Sequence, residues 1–326
     1  DNNNHAYNDN INSQITDQNE IPYQFITDND GKEFVVDEDG NQIPMNESAT
    51  VEVLFELGTP SDEDTLVEGD SLESGMQGQG MSGGGQHQQG GQHGQQNNNQ
   101  NKGHQGHHKI KGQQNGIDFN VNGAFLSVEW LDFGAFKTLA CHNPKVQQHH
   151  SVQCQKNSAR VDGPMIVNLL AGTSTPSFTS LNLPSGAYRS VGVKVEPADA
   201  ADGIITSTDT MNGLSLWVSG DFEYNSQPVT FELQLAFNRY MVLAREHGMI
   251  VSPLEPNQIV IGFNVEKWFE NIPVKQCLDK GELTITNNNL VIDNTSGSNL
   301  CKNMLNRIRH NIHKYSHVRH VMKHVH

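Results

Sequence analysis

The chain has 326 residues, of which 35% are hydrophobic and 18% are charged, and its formal net charge at pH 7 is -16. Its mean hydropathy is -0.57, so part of the chain must lie outside any packed core. No run of about 18 apolar residues occurs, and we therefore expect no transmembrane segment.

The charge is concentrated at the two ends of the chain. Residues 1–75 contain 19 Asp and Glu against one basic residue, Lys32, whereas the last 26 residues contain six Lys or Arg and no acid. Oppositely charged ends can contact each other, a second copy or an anionic cell-surface partner, or they can simply keep solvated segments soluble. The net charge argues against a specific nucleic-acid partner.

Two features of the chain favour export. It begins at Asp1 rather than Met, as expected of a product from which an export signal has been removed, although a chain trimmed at that end would look the same. Its four cysteines are spaced for two sequential disulfides, which form in oxidising compartments, although three pairings are open. These residues are Cys141, Cys154, Cys277 and Cys301. We therefore expect a periplasmic, extracellular or cell-surface protein.

Residues 1–74 are predicted to form an acidic arm with strand character. Two turns end in Asp-Gly, at 30–31 and 39–40, and this dipeptide strongly favours β-hairpins. Residues 50–57 alternate as a strand does, with Val51, Val53, Phe55 and Leu57 on one face. Because two or three isolated strands are marginal in water, we expect them to add to a larger domain or to a neighbouring molecule.

The acidic turns also raise the question of calcium, which prefers clustered carboxylates. The candidate ligands are Asp28, Asp30, Asp37 and Asp39. An EF-hand loop is excluded, because counting back from Gly31 or Gly40 puts Ile26 or Val35 at its first position. A looser loop site stays open beside the simpler interpretation, solvated hairpin turns.

Residues 75–116 are rich in Gly, Gln, Asn and His, and they are predicted to form a flexible, disordered linker. From residue 117 the composition changes to short apolar segments punctuated by Gly, Pro, Asn and Asp. These segments are 119–121, 125–130, 165–170, 187–195, 214–218, 229–237, 258–265 and 283–285. Such spacing predicts a mainly β fold, an antiparallel β-sandwich of Greek-key type over 117–293.

A sequence resemblance agrees with this fold. The V-N-L-L strand at 167–170, the L-P-S-G-A-Y segment at 183–188 and the strand at 191–195 resemble a domain found in bacterial lipoproteins and secreted proteins. The resemblance covers about 117–272 and implies a β-sandwich, but the family has no known function. The chain as given lacks an N-terminal lipidated Cys, so the resemblance does not imply a lipid anchor.

Enzyme motifs are missing from the sequence. It contains no H-E-x-x-H, P-loop or C-x-x-C-H pattern. The letters of G-x-S-x-G at 80–84 and of G-x-G-x-x-G at 78–83 fall in the Gly-rich segment, without the apolar strand that must precede either motif. The carboxylates are scattered without a spacing that selects a catalytic pair. We therefore expect a protein that is not an enzyme. Trp130, Trp217 and Trp268 could stack on sugars in a recognition protein, although burial in the core is the expected fate of each.

Histidine is the most unusual component of the sequence. Six of its 16 histidines lie in the last 17 residues, in a segment, 294–326, predicted to form a basic amphipathic helix. In such a helix the five candidate ligands would fall within an arc of about 80°. They are His310, His313, His317, His320 and His324. Imidazoles three or four residues apart can jointly hold Zn²⁺, Cu²⁺ or Ni²⁺.

Two functional hypotheses follow. The first is a non-enzymatic exported protein that binds a divalent transition metal through its histidine-rich segments, with His142, His149 and His150 as secondary ligands. The alternative is a structural or adhesive filament subunit that assembles by strand donation, with residues 50–57 on a long tether as the donated strand. The histidines could also supply only pH-dependent charge.

Overall fold

The structure, a computed structural model, describes residues 23–58, 108–110, 117–140, 152–177, 180–298 and 301–322. Across these residues the protein is mainly β, with antiparallel and mixed sheets that are consistent with the predicted sandwich. Described residues on both sides of the gap at 59–107 belong to one compact unit.

The N-terminal strands form an antiparallel three-stranded sheet. They are β1 (Gln24–Thr27), β2 (Glu33–Val36) and β3 (Gln42–Pro44). Both predicted Asp-Gly turns are present, with Gly31 at φ 77° and Gly40 at φ 85°, where a residue without Cβ is favoured. Val35 and Ile43 of this sheet pack against Ala187 and Ile250 of the main domain.

A second, four-stranded sheet has the order β10-β4-β15-β18. Its strands are β4 (Ser48–Leu57), β10 (Ser180–Pro184), β15 (Asn257–Phe263) and β18 (Ser316–Met322). β4 is antiparallel to β10 and parallel to β15. Of the two arrangements expected for the strand at 50–57, the structure therefore has the one in which it adds to the domain of its own chain.

The largest sheet has the main order β14-β11-β6-β12-β13-β17-β16, with β5, β7, β8 and β9 paired beside this path. Its strands are β5 (His108–Ile110), β6 (Phe119–Ala135), β7 (Val152–Gln155), β8 (Ser158–Asn168), β9 (Thr173–Thr175), β11 (Gly186–Val195), β12 (Leu216–Tyr224), β13 (Gln227–Leu235), β14 (Arg239–Val251), β16 (Ile285–Thr286) and β17 (Asn289–Asp293). β13 and β17 run parallel, whereas the other pairs in this sheet are antiparallel.

One continuous hydrophobic core joins the four-stranded sheet to the largest sheet. Alternation supplies it, because every second side chain of each strand points to the same face. Phe55 of β4, Ile261 of β15 and Phe133 of β6 all belong to this core. Trp268 lies in it too and is fully buried, as expected. The same expectation is wrong for Trp130 and Trp217, which are half-buried outside this core.

The described helices are α1 (Val274–Asp279) and α2 (Met304–Lys314), with single 3-10 turns at Ala200–Asp202 and Val265–Lys267. A disulfide joins Cys277 of α1 to Cys301, in agreement with one of the two predicted sequential pairs. Cys154 is also disulfide-bonded, and Cys141 lies outside the described residues. Neither described helix is long and apolar enough to cross a membrane.

The C-terminal segment differs from the predicted helix. α2 buries the predicted apolar side, including Leu305, Ile308 and Ile312, but it ends at Lys314 and the chain continues as β18. Strand pairing explains the change, since β18 satisfies the backbone groups at the open edge of β15. Val318 packs in the core, and because side chains alternate along a strand, a period of two replaces the helical period.

Candidate functional site

The first candidate site is the gap between β10 and β15, which we call the β4 groove. β4 fills this groove and pairs along both of its edges, so that Val51 lies between Leu181 and Asn257. With β4 removed, β10 and β15 would stand about 10 Å apart, two strand spacings, and could not pair with each other. The β4 groove is therefore a site for one extended strand.

The inward face of β4 closes the hydrophobic core. Val51, Val53, Phe55 and Leu57 are each at most 7% exposed. Burying four such side chains contributes roughly 6–12 kcal/mol, taking about 1.5–3 kcal/mol for each. That range is comparable to the net stability of a typical domain, about 5–15 kcal/mol. The domain therefore depends on a strand in the β4 groove.

Side chains on the outward face fix the register of β4. Both carboxylate oxygens of Glu56 accept hydrogen bonds from Arg319 of β18, at 2.9 and 3.1 Å. Glu52 accepts one from the Gln258 amide at 2.6 Å. A slip by one residue would break these contacts and turn the apolar face outward, so the β4 groove is specific for this sequence in this register.

Ser185 holds the chain at the point where it enters the β4 groove. Its hydroxyl donates to the Pro44 carbonyl at 2.7 Å and accepts from the Glu47 amide at 2.9 Å. Its own amide donates to the Glu47 carbonyl at 2.7 Å, and its carbonyl accepts from the Asn46 amide at 2.9 Å. The Pro-Ser-Gly segment at 184–186 therefore anchors the N-terminal strands, a role that sequence reasoning missed.

The covalent connection of β4 to the rest of the domain is long. β4 ends next to β15, where the Gly58 amide donates to the Phe263 carbonyl at 3.1 Å. Residues 59–107, which are 49 residues, separate this point from the next described strand. The length of such a connection allows a reach of up to roughly 160 Å, far more than one strand spacing.

The second candidate site is formed by the histidines, which the structure distributes over two elements. His310 and His313 lie one turn apart on α2. His317 and His320 lie on β18, where their odd separation puts them on opposite faces of the strand. The single stripe predicted for a continuous helix is therefore not formed, and His324 lies outside the described residues.

Arginines lie next to two of these histidines. Nη2 of Arg239 is 3.1 Å from Nδ1 of His313, and burial, assisted by Arg239, lowers the pKa of His313 to about 4. Burial and the charge of Arg245 likewise lower the pKa of His320 to about 4. Both imidazoles are neutral at pH 7, the form that binds metal, but each guanidinium opposes a second cation nearby.

Among the described residues, no group of three or more His, Cys, Asp or Glu is placed to hold a metal ion. Of the predicted ligands, His310 and His313 keep the spacing of a metal-binding pair on one helix, α2. His142, His149 and His150 lie outside the described residues, so they stay a prediction.

In each acidic turn the first Asp stabilises the turn by accepting hydrogen bonds from backbone amides of the same turn. Asp28 accepts hydrogen bonds from the amides of Asp30 and Lys32 at 2.9 and 2.8 Å. Asp37 accepts one from the Asn41 amide at 2.7 Å. These hydrogen bonds explain Asp28 and Asp37 as residues that stabilise hairpin turns, without a calcium ion. Asp30 and Asp39 are exposed at the tips of the turns.

Comparison with known proteins gives no relative for this chain: no family model, no curated protein and no solved structure matches it. Function is therefore inferred from the geometry of the chain itself.

Proposed function

We propose that this protein is a non-enzymatic structural component, exported from the cell, that assembles with copies of itself by strand donation. In this proposal β4 of one molecule occupies the β4 groove of the next. The scaffold is a Greek-key β-sandwich whose main part is 117–293 and whose second sheet is completed by β4 of the acidic arm, 1–74, and by β18; the linker 75–116 joins the arm to the main part. The Cys277–Cys301 disulfide supports an oxidising, extracytoplasmic location.

One observation carries the proposal. β4 is an interior strand of its sheet, paired on both edges, yet 49 residues separate it from the next described strand of its own chain. A short connection would force β4 into its own groove, whereas this one leaves a neighbouring groove within reach. The contacts that hold β4 are the same in either case, so exchange between molecules loses none of them.

The length of the connection also sets the protein concentration at which donation of β4 to a neighbour competes with its insertion into the groove of its own molecule. A flexible tether holds its strand at an effective concentration of about 1 mM. A single molecule therefore fills its own groove in dilute solution, and donation to a neighbour prevails when the local concentration approaches that value. Surface display or refolding of concentrated protein provides such conditions.

Light scattering on a locked variant tests the proposal. Thr50 of β4 and Asn182 of β10 are direct cross-strand partners, so the double variant Thr50→Cys, Asn182→Cys should form a disulfide that keeps β4 in its own groove. Both proteins are refolded at about 1 mM, the effective concentration of the tether. We expect oligomers from the wild-type chain and monomers from the locked variant. Monomers from both would contradict strand donation.

A second candidate function is metal binding at His310 and His313. These residues have the spacing of a two-point chelate on α2, His310 is exposed, and His313 needs no deprotonation at pH 7. The Arg239 guanidinium, 3.1 Å from Nδ1 of His313, opposes the metal charge, so a metal here is bound mainly through His310 and weakly. We propose that Zn²⁺, Cu²⁺ or Ni²⁺ binds here and not along a longer stripe.

Calorimetric titration of the full chain with zinc chloride tests this second candidate. His310→Gln should bind one zinc ion fewer than the wild-type chain. His247→Gln changes an exposed histidine of β14 and should leave the stoichiometry unchanged. Equal stoichiometry in all three proteins would remove the helix pair as a site.

A further inference from the structure

The outward face of the largest sheet carries a compact group of polar and aromatic side chains. Cross-strand pairing aligns Tyr240, Lys194 and Trp130 in one row across β14, β11 and β6. The next row places Asp132 of β6 directly opposite Arg160 of β8. We call Trp130, Asp132, Arg160 and Tyr240 the outer-face cluster.

Gly192 leaves room for the Tyr240 side chain to reach the other members of the outer-face cluster. The ring of Tyr240 lies across β11 over Gly192, where a Cβ would collide with it. Tyr240 thereby reaches Trp130, with ring centroids 4.9 Å apart, and brings its hydroxyl to 3.5 Å from Oδ2 of Asp132. On the other side the Arg160 guanidinium lies 4.1 Å from the centre of the Trp130 ring. The Trp130 ring thus lies next to the Tyr240 ring and under the Arg160 guanidinium, close to the Asp132 carboxylate.

Two polar atoms of the outer-face cluster are buried without a hydrogen bond in the described part of the chain: Oδ1 of Asp132 and Nε of Arg160. Burial also raises the pKa of Asp132, and the hydrogen bonds that its carboxylate accepts from Ser158 and Tyr240, together with the charge of Arg160, offset this effect only in part. Buried polar atoms almost always have a partner in native proteins. An acceptor and a donor without partners, on directly opposed residues, indicate that something outside the described chain completes them.

The rim of the outer-face cluster restricts the charge of that partner. Lys194 forms an ion pair with Glu196 at 3.0 Å, and Glu196 accepts a hydrogen bond from Asn238 at 2.7 Å. Gln153 donates to Asp162. Because these charged groups already have partners within the protein, they give a charged ligand little to bind.

We propose that the outer-face cluster binds a neutral saccharide. A hydroxyl group both donates and accepts hydrogen bonds, so neighbouring sugar hydroxyls would donate to Asp132 and accept from Arg160. The apolar face of a pyranose ring packs on an aromatic ring such as Trp130. Both atoms are buried in the structure, and the Arg160 guanidinium lies over the Trp130 ring. Binding therefore requires the long Arg160 side chain to turn off the ring, which frees the ring face for the sugar and leaves the Arg160 Nε as a donor to a sugar hydroxyl.

Indole N–H signals in an NMR titration of the full chain test this proposal, because the protein has three tryptophans in different settings. Trp130 belongs to the outer-face cluster, Trp217 is half-buried beside Phe125 with ring centroids 5.8 Å apart, and Trp268 is fully buried. The probes are N-acetylglucosamine, methyl β-galactopyranoside, methyl α-mannopyranoside and cellobiose, each added to about 20 mM, well above a millimolar Kd.

We expect a saturable shift of the Trp130 signal with at least one probe and unchanged signals from the other two tryptophans. Asp132→Asn keeps the size of the side chain and should weaken binding about tenfold, since a hydrogen bond to a charged acceptor becomes a weaker one to a neutral amide oxygen. Trp217→Ala is the matched aromatic control and should bind as the wild-type chain does. Sorbitol, which has hydroxyls but no ring, should give no saturable shift.

The proposal would be overturned by the absence of a saturable Trp130 shift with all four sugars, by an equal shift at Trp217, or by unchanged affinity in Asp132→Asn. An effect of sorbitol equal to that of the sugars would likewise show that the ring surface of Trp130 is not being used.

Discussion

Replacing Phe55 by alanine probes whether β4 is an integral part of the core. Phe55 is 3% exposed and packs in the hydrophobic core from the centre of the four-stranded sheet. Truncating a buried Phe to Ala removes its transfer free energy and leaves a cavity, and this costs about 3–5 kcal/mol. Leu54 is the matched control, because it is its chain neighbour but points to the outward, half-exposed face. Leu54→Ala should cost less than about 1 kcal/mol.

The expected change in thermal stability follows from these free energies. For a domain of this size, each kcal/mol lowers Tm by about 2–4 °C. Phe55→Ala should therefore lower Tm by roughly 6–20 °C, and Leu54→Ala by less than about 4 °C. Circular dichroism at a single protein concentration measures both shifts, and urea unfolding gives the free energies. Equal small shifts for the two variants would refute an integral role, because a peripheral strand would tolerate both changes.

The remaining predictions concern the disulfide, the outer face and acid sensitivity. Cys277→Ser, Cys301→Ser should lower the free energy of unfolding in urea by about 3–4 kcal/mol, the loop-closure value for 24 residues; an unchanged midpoint would contradict it. Gly192→Ala should cost about 1–3 kcal/mol by overpacking against a tyrosine ring, and a silent substitution would show that this ring has room. His313 and His320 have folded pKa values of about 4, below the ordinary 6.5. The unfolded chain therefore takes up protons first, so stability should fall as pH drops from about 6.5 to 4, by up to about 3 kcal/mol for each histidine; His313→Gln should flatten this profile, and an unchanged profile would contradict the assignment.

Local sequence signals predicted the elements whose stability is local. The Asp-Gly turns after β1 and β2 need a positive φ and an Asp that caps its own turn, and both needs are visible in the sequence. The alternation at 50–57 gave the inward face of β4, because a period of two is independent of the partner strand. The short apolar segments after residue 117 gave the mainly β fold for the same reason.

Features that depend on long-range pairing were not predictable from the sequence. The histidine spacing near the C-terminus fits a helical period, yet residues 316–322 become a strand because the edge of β15 offers them backbone partners. Residues 257–263 precede this segment by more than 50 positions, so no local signal reports the pairing. The outer-face cluster likewise needs the registers of four strands before its members come together.

Cross-linking of two single-cysteine variants tests most directly whether the strand in one molecule's β4 groove can come from another molecule. Thr50→Cys and Asn182→Cys are mixed in equal amounts, unfolded and refolded together at about 1 mM, the effective concentration of the tether. The two positions are directly opposed in the β4–β10 pair, so a disulfide between the variants requires donation. We predict a mixed dimer joining residues 50 and 182, identified by mass spectrometry of non-reduced digests. Recovery of both variants as uncross-linked monomers would contradict strand donation.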